Sequence, residues 1–482
     1  MKIIKFLVIF AILFGIGYGA ASFYYSGSIQ RAVIKQVENK IFEKNNTTNT
    51  VQLPAFNFLE QLLGVDGAKY YLILFLNNTE LRPGGGFIGT YGVIKVDKAV
   101  PEIIKTDGTE FLDYSASDEK LPDPPDPLSK YLLVKRWYFR DSNWSPDFKS
   151  SAEQSLQLFT KEGGVEADKI SGVIGFTPTA ITELLKITGP LTVNNMKLDS
   201  KNFLEQVQYQ VEYGYGEQGI PRRERKDILG DLAKVLMEKT KFDFILNWSK
   251  YYDWWTKMIA QKQIMLYSNQ VAMQGAFEQQ KWSGELASTN GDYILWADAN
   301  LGALKTDWIL ERTLNYSVRQ DKDGRYVATV KMHYEHPGSF DWRTTRYRTY
   351  ARVYVPLGSK LIKAIGAMDT DRSTKPGKVD EGTENNRQWF GAFISIEPKR
   401  TGDLSFEYYL PPNVIDAIAA DRYSLYIQKQ LGAVGTQLKL DLNFGKKKII
   451  MVNSENWEAK NTSSYPRTID LSIDRMFDLV LK

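Results

Sequence analysis

Cysteine is absent from this 482-residue chain, and histidine occurs only twice. Without thiols there are no disulfides, no thiolate nucleophile and no thiolate metal site. The compartment stays open, because exported proteins can also lack cysteine. His333 and His336 stand as His-x-x-His in a strand-like run with no third ligand, a weak pattern for zinc. Histidine is missing from the central region, so no Ser-His-Asp set can be assembled there and acid–base chemistry would fall to Asp or Glu. An excess of one charge is lacking too. The 61 Lys and Arg against 57 Asp and Glu leave a net charge of +4. That argues against a nucleic-acid partner, which calls for a basic stripe.

What is present begins with an apolar run. Lys2 and Lys5 precede an uncharged stretch from Phe6 to about Phe23, and the next charge is Arg31. The stretch reaches the ~18 residues needed to cross a bilayer. The flanking lysines predict a cytoplasmic N-terminus, and Phe23-Tyr24-Tyr25 suits a membrane interface. The favoured reading is an uncleaved anchor. The competing one is a cleaved signal peptide, for which Gly19-Ala20-Ala21 supplies small residues. The domain expectation is a cytoplasmic tip (1–5), a transmembrane anchor (6–25), a stalk helix and linker (26–50), an α/β domain (51–305) and a β-sandwich domain (306–482). The bulk of the chain would lie outside the cytoplasm.

The most informative segment is Asn77 to Gly92, NNTELRPGGGFIGTYG. It follows an apolar strand-like run, Tyr70–Leu76, and precedes another, Phe87–Val96. Between them stand Glu80, Arg82, Pro83 and the glycines Gly84, Gly85 and Gly86. Glycines at a strand mouth allow close backbone approach or positive φ, and an arginine there can fork onto a phosphate or carboxylate. The same residues could equally form a tight turn with Arg82 salt-bridged to Glu80 or Asp147. No Gly-Lys-Ser/Thr follows, so this is not a Walker loop.

Further along, strand and helix alternate. Glu102–Lys105, Lys169–Phe176 and Leu191–Val193 read as strands. Ser150–Phe159, Thr179–Lys186 opened by Pro178 and closed at Gly189-Pro190, Lys201–Val211, Glu224–Lys239, Trp248–Ile259 and Val271–Gln279 read as helices. This predicts an α/β sandwich. Gly214 to Gly219 reads as a mobile flap. After about Thr306 the pattern becomes alternating strands: 310–318, 325–334, 349–355, 388–397, 403–410, 424–430 and 436–444, with one helix near 413–420. That predicts a second, all-β sandwich, with 366–386 as a long exposed hairpin loop.

The combination ELRPGGGFIGTYG, RDSNWSPDF (Arg140–Phe148), GVIGFTPTAITELLKITGPLTV (Gly172–Val193) and ANLGALKTD (Ala299–Asp307) resembles a bacterial membrane-anchored family of unknown function, the DUF4012 type. The order of elements from about 70 to 240 is also similar to the LytR-CpsA-Psr family. Those proteins are single-pass and extracytoplasmic, and they transfer glycopolymers from polyprenyl-pyrophosphate carriers to the cell wall. They use arginines on the pyrophosphate and a metal held by aspartates. Where that family has Arg-x-Asp-Thr, this chain has Arg82-Pro83-Gly84-Gly85, keeping the arginine and losing the aspartate. Ile104-Lys105-Thr106-Asp107 stands where the family has Ile-Pro-Arg-Asp. Arg222, Arg223, Glu224, Arg225 and Lys226 open a helix where it has Asp-x-x-Arg-x-x-Arg-Gln. A divalent metal would therefore lack its expected aspartate, and no cofactor is assigned.

The resulting expectation is an extracytoplasmic, membrane-anchored cell-envelope protein that binds or transfers a pyrophosphate-lipid-linked glycan. The alternative is a non-catalytic envelope or adhesion scaffold whose β-sandwich binds a partner. Whether it is an enzyme stays open. The anion-binding candidates are Arg82, Gly84, Gly85, Gly86, Arg140, Trp144, Arg222 and Arg225. Asp107, Asp141 and Asp147 are the candidate acids, and Asp147 can alternatively cap the helix that follows it. Trp144 could cover a sugar face or fill the core. No metal ligand set is assigned.

Overall fold

The computed structural model describes residues 58–482, apart from 99, 303 and 455. The expected tip, anchor, stalk and linker of 1–50 lie outside the described residues. Among the described residues, no helix is long and apolar enough to cross a membrane.

After a short helix, α1 (Phe58–Leu62), the first half is built on a five-stranded sheet. Its strands are β1 (Lys69–Asn77), β2 (Phe87–Asp97), β3 (Val100–Gly108), β4 (Ile170–Phe176) and β7 (Ile264–Ser268), in the order β3-β2-β1-β4-β7. β1 and β4 run parallel, and the other neighbours are antiparallel. The C-terminal ends of β1, β3 and β4 therefore share one edge of the sheet. The central strand, KYYLILFLN, is apolar on both faces because both are covered. Leu72, Leu74 and Leu76 pack on one side with α4 (Phe148–Lys161). Tyr71 and Ile73 pack on the other with α5 (Pro178–Thr188), α6 (Phe203–Tyr209) and α7 (Asp227–Ala260). Two small helices, α2 (Thr109–Ser115) and α3 (Asp126–Leu132), link β3 to α4, and β5 (Leu191–Val193) pairs with β6 (Met196–Leu198).

Several boundaries follow from local chemistry. Asp147 accepts the Ser150 amide at 2.9 Å and so caps α4. Pro178 opens α5, and Gly189, at φ +71°, ends it. The two helices expected over 224–239 and 248–259 are one, α7, bent at Asn247, whose φ of −116° leaves the helical range. Gly214 to Gly219 is no loose flap at its start: a π-helical turn, Gln210–Gly214, continues α6 and runs into a further helical turn, Tyr215–Glu217.

The chain enters its second half earlier than Thr306. After α8 (Val271–Gln279) comes β8 (Asp292–Asn300), which pairs with β11 (Tyr347–Pro356) and β16 (Arg422–Gln428). β8 carries no strand signal in the sequence, because DYILWADAN is buried at every position and shows no alternation. Six strands form one sheet and eight the other. The six include β9 (Glu311–Gln320), β10 (Tyr326–His336), β15 (Arg400–Tyr409) and β17 (Thr436–Asn443). The eight include β14 (Arg387–Ile396) together with β8, β11 and β16. Alternate side chains of both sheets, such as Leu314 and Val330 against Ala351 and Phe390, share a single core, so the sheets face each other. The 366–386 segment is not wholly loop, since Val379–Glu384 forms an edge strand on β14.

Candidate functional site

The ELRPGGG turn lies inside the protein. Arg82 is 2% exposed and saturated by protein groups. Its Nε reaches Asp141 at 3.3 Å, its Nη2 reaches Glu80 at 3.4 Å, and its Nη1 donates to the Asn300 carbonyl. Asn300 ends β8 of the other half, and its amide returns to the Leu81 carbonyl at 2.9 Å. The Leu81 amide in turn donates to Asp307, which is held by Arg312. This buried network ties ELRPGGG, RDSNWSPDF and ANLGALKTD into one junction between the halves.

The glycines serve the same junction and do not form an anion nest. Gly86 has φ +153°, and a Cβ there would lie 2.5 Å from the Asn77 carbonyl carbon. Gly84 sits where a Cβ would meet Asn143 and Ser151 at 2.8 Å. Gly85, at φ +120°, packs its carbonyl against Gly432 from the β-sandwich. Trp144 faces the second half as well, with Arg352 over its ring at 4.8 Å and Tyr350 beside it at 6.1 Å.

The candidate acids are occupied. Asp141 bridges Arg82 and Arg140. Asp147 caps α4 and also accepts the Leu286 amide at 2.8 Å. Asp107 takes its neighbour's amide, Gly108 N–H, at 2.8 Å and Lys105 at 3.1 Å. Arg222 is exposed and away from these groups, while Arg223 covers Phe111. Among the described residues no cluster of His, Asp or Glu could hold a metal ion.

Arg140 and Arg225 come together elsewhere. Between the sheet and the α5–α6–α7 layer lies a cavity of about 330 Å³, at the small end of the ~300–1,000 Å³ usual for ligand sites. Its length is apolar, with Ile73, Phe75 and Ile94 from the sheet and Val207, Leu232 and Leu236 from the helices. Its polar end lies at the shared strand edge. There Arg140, Arg225, Lys226 and Lys305 line the wall against only two acids, Glu110 and Glu212. Arg225 reaches Glu110 at 2.7 Å and Glu212 at 3.6 Å, and Lys305 reaches Glu212 at 2.9 Å. Lys226 pairs with Glu110 at 2.5 Å. Burial opposes ionisation of Glu110 and Glu212, but the adjoining cations outweigh it and hold both below the usual carboxylate range. Burial pushes Lys226 below its ordinary value despite Glu110. The Arg225 Nε has no partner. Lys226 and Lys305, which the sequence reading left out of the site, belong to it. In sequence Lys226 is one member of a charge run, and Lys305 arrives from the other half, which no local pattern reveals.

Residues 66–211 match the family described as "Protein of unknown function (DUF4012)". The match lies within the α/β half. The match runs from β1 to the π-helical turn, so the DUF4012 segment supplies Arg140, Glu110 and the cavity's sheet wall, while Arg225, Lys226 and Lys305 lie beyond it. No curated protein matches the chain. Among solved structures, a candidate nutrient binding protein of Legionella pneumophila is similar at 6% identity and TM-score 0.24, covering 39% of this chain and 72% of that one. An M1 zinc metallopeptidase of Deinococcus radiodurans is similar at 9% identity and TM-score 0.16, covering 35% of this chain and 42% of that one. Scores this low assign neither fold nor activity.

Behind Arg140 stands a buried carboxyl pair. Asp113 is 3% exposed and Glu162 5%; neither Asp113 oxygen nor Glu162 Oε2 accepts a hydrogen bond, and Asp113 has only the ion-pair contact with Arg140. Burial, then Glu162, pushes Asp113 up to about 9, against the pull of Arg140 at 3.3 Å. Burial raises both carboxyls, so the pair favours holding one shared proton. A folded-state value raised above the unfolded one means stability present at acid pH and lost as pH rises toward about 9. Asp113→Asn removes the titration. In thermal melts across neutral to mildly alkaline pH, the variant is expected to gain on the wild type as pH rises. A constant difference would show that Asp113 is already ionised.

Proposed function

We propose that the DUF4012 half binds an amphipathic anion, a polyprenyl-pyrophosphate-linked glycan carrier, at the outer face of the membrane. The observation that carries this reading is an apolar cavity ending in four cations and two acids. An isoprenoid tail suits the apolar walls. A pyrophosphate suits Arg140, Arg225 and Lys305, because it offsets their mutual repulsion and Arg225 still has a free donor. The resemblance to the LytR-CpsA-Psr family points to the same class of ligand. An apolar run at 6–25 would hold the domain where such carriers sit. The likeness covers the ligand class and does not extend to the residues first singled out, since Arg82 and the glycines serve the junction.

Binding without transfer is favoured by one specific observation. Asp107, Asp141 and Asp147 are each spent on structure. On that reading the protein carries or presents the lipid-linked glycan as an envelope component, and the β-sandwich is free to engage a protein partner.

Calorimetry with a polyprenyl pyrophosphate tests the site. A charge-assisted contact contributes ~1.5–3 kcal/mol, so Arg225→Ala should weaken binding roughly ten-fold or more. Arg225→Lys should recover part, having lost the fork. The neutral polyprenol should bind both variants equally. Equal affinity of wild type and Arg225→Ala for the pyrophosphate would remove the site.

A further inference from the structure

Beside the polar end of the cavity lies an aromatic shelf that the cavity does not use. The α6 segment presents two faces. Val207, Gln208, Val211 and Glu212 line the cavity, while Tyr209 and Tyr213 turn to the other side. Their rings stack with centroids 6.2 Å apart, and Trp342 stands edge-on to both at 5.8 and 5.6 Å. Trp308, three residues past the cavity-lining Lys305, completes the shelf. One of its faces carries the Arg343 guanidinium at 4.6 Å from the ring centroid, and 49% of the residue is exposed. Tyr213 is 48% exposed and Phe340 61%. Single exposed rings are ordinary, but rings in mutual contact form a contiguous patch of the kind that meets a ligand or partner.

Arg343 links shelf and cavity. It is 8% exposed, its Nε donates to Gln208 Oε1 at 2.9 Å, and its Nη2 has no partner. A buried guanidinium donor without an acceptor is costly to leave unmade. It lies between Trp308 and Trp342, with centroid distances of 4.6 and 5.9 Å, under the surface a ligand would cover.

We infer that this shelf is a carbohydrate subsite, holding the first sugars of a glycan whose lipid pyrophosphate occupies the cavity. The inference rests on the proposed use of the cavity. The chemistry argues for sugar over a lipid surface. Flat aromatic faces pack against the C–H groups of pyranose rings, and polar atoms around them take the hydroxyls. Here the surrounding groups include acceptors. Tyr209 donates to Glu217 at 2.7 Å, Glu205 is exposed on the same helix, and exposed Asp341 accepts the amides of Arg343 and Thr344. An anionic bilayer would meet like charge at those three acids, whereas a neutral N-acetylated sugar would find partners. Continuity supports the same occupant. Arg343, packed against both tryptophans, bonds the cavity-lining Gln208, so shelf and cavity share a wall.

The test compares two ligands on the full chain in detergent: a polyprenyl pyrophosphate, and the same lipid bearing a pyrophosphate-linked N-acetylhexosamine disaccharide. Wild type is expected to prefer the sugar-bearing lipid by roughly five-fold, the scale of one aromatic contact. Trp308→Ala should erase the preference while leaving the sugar-free lipid unchanged, and Trp308→Phe should keep most of it. Trp342→Ala serves as a second reporter should Trp308→Ala not fold. A wild type that binds the bare lipid and shows no preference overturns the shelf and leaves the cavity standing. If neither lipid binds, the cavity reading fails, and the shelf is judged by tryptophan fluorescence with a soluble N-acetylglucosamine tetramer. A Trp308-dependent response there upholds the shelf, and silence overturns it. Adsorption to phosphatidylglycerol vesicles that disappears in Trp308→Ala would also overturn it, assigning the shelf to the membrane.

Discussion

Replacing Arg82 with alanine is expected to cost about 3–5 kcal/mol of stability, the range for removing one partner of a buried ion pair. The loss arises from what stays behind. Asp141 and Glu80, 4% and 5% exposed, would lose their nearest shared cation in a region closed to water. Burial already holds Glu80 above its ordinary range even with Arg82 present. The Asn300 and Leu81 carbonyls would lose a donor in the same step. Urea denaturation should show a much lower midpoint, and Arg82→Lys should recover little because one ammonium cannot reach three directions. Polyprenyl-pyrophosphate affinity of the molecules still folded should not change, since Arg82 does not line the cavity. Intact stability with lost affinity would reverse the assignment and return Arg82 to a ligand site.

A fragment ending near residue 290 is expected to lack a cooperative melt. The α/β half leans on the β-sandwich for groups it cannot replace. The Gly432 carbonyl accepts the buried Asn78 amide at 2.8 Å, and Gln263 Nε2 donates to the Ala433 carbonyl at 3.2 Å. Asp307 receives the Leu81 amide, and Asp474 pairs with Lys262 at 2.9 Å. Leu431 fills the core beside Leu76 and Met265. Each buried polar group left without its partner costs ~1–3 kcal/mol. Four or more approach the ~5–15 kcal/mol that a domain has in total. Calorimetry of the fragment should show a broad, shallow transition, and a sharp one would show that the halves are independent domains.

The depth of this junction explains why ELRPGGG, RDSNWSPDF and ANLGALKTD, the most conspicuous motifs, are not the cavity. Arg-Pro-Gly-Gly-Gly has the chemistry of an anion site, and local sequence cannot tell a charge facing a ligand from one facing Asp141. Direction of burial decides it, and that depends on residues 59 and 218 positions away.

Much of the secondary structure was legible by itself. β1 and β2 were read within two residues of their ends, because apolar β-branched and aromatic runs bounded by turn residues permit little else. Asp147 as a cap and Pro178 with Gly189 as the limits of α5 were readable for the same reason, since capping is satisfied within four residues. The alternating strands β9, β10 and β17 announced a two-sided sheet with one buried face. Tertiary structure alone decided the rest. β8 and β7 are buried on every side and carry no period to read. The cavity's charge comes from Arg140, Arg225, Lys226 and Lys305, spread over 166 positions of chain and gathered only when α7 and the start of the β-sandwich close over one sheet edge. Local chemistry sets which elements form, because their hydrogen bonds and caps are made within a few residues. The partners of a buried charge are set by packing, and packing is a property of the whole chain.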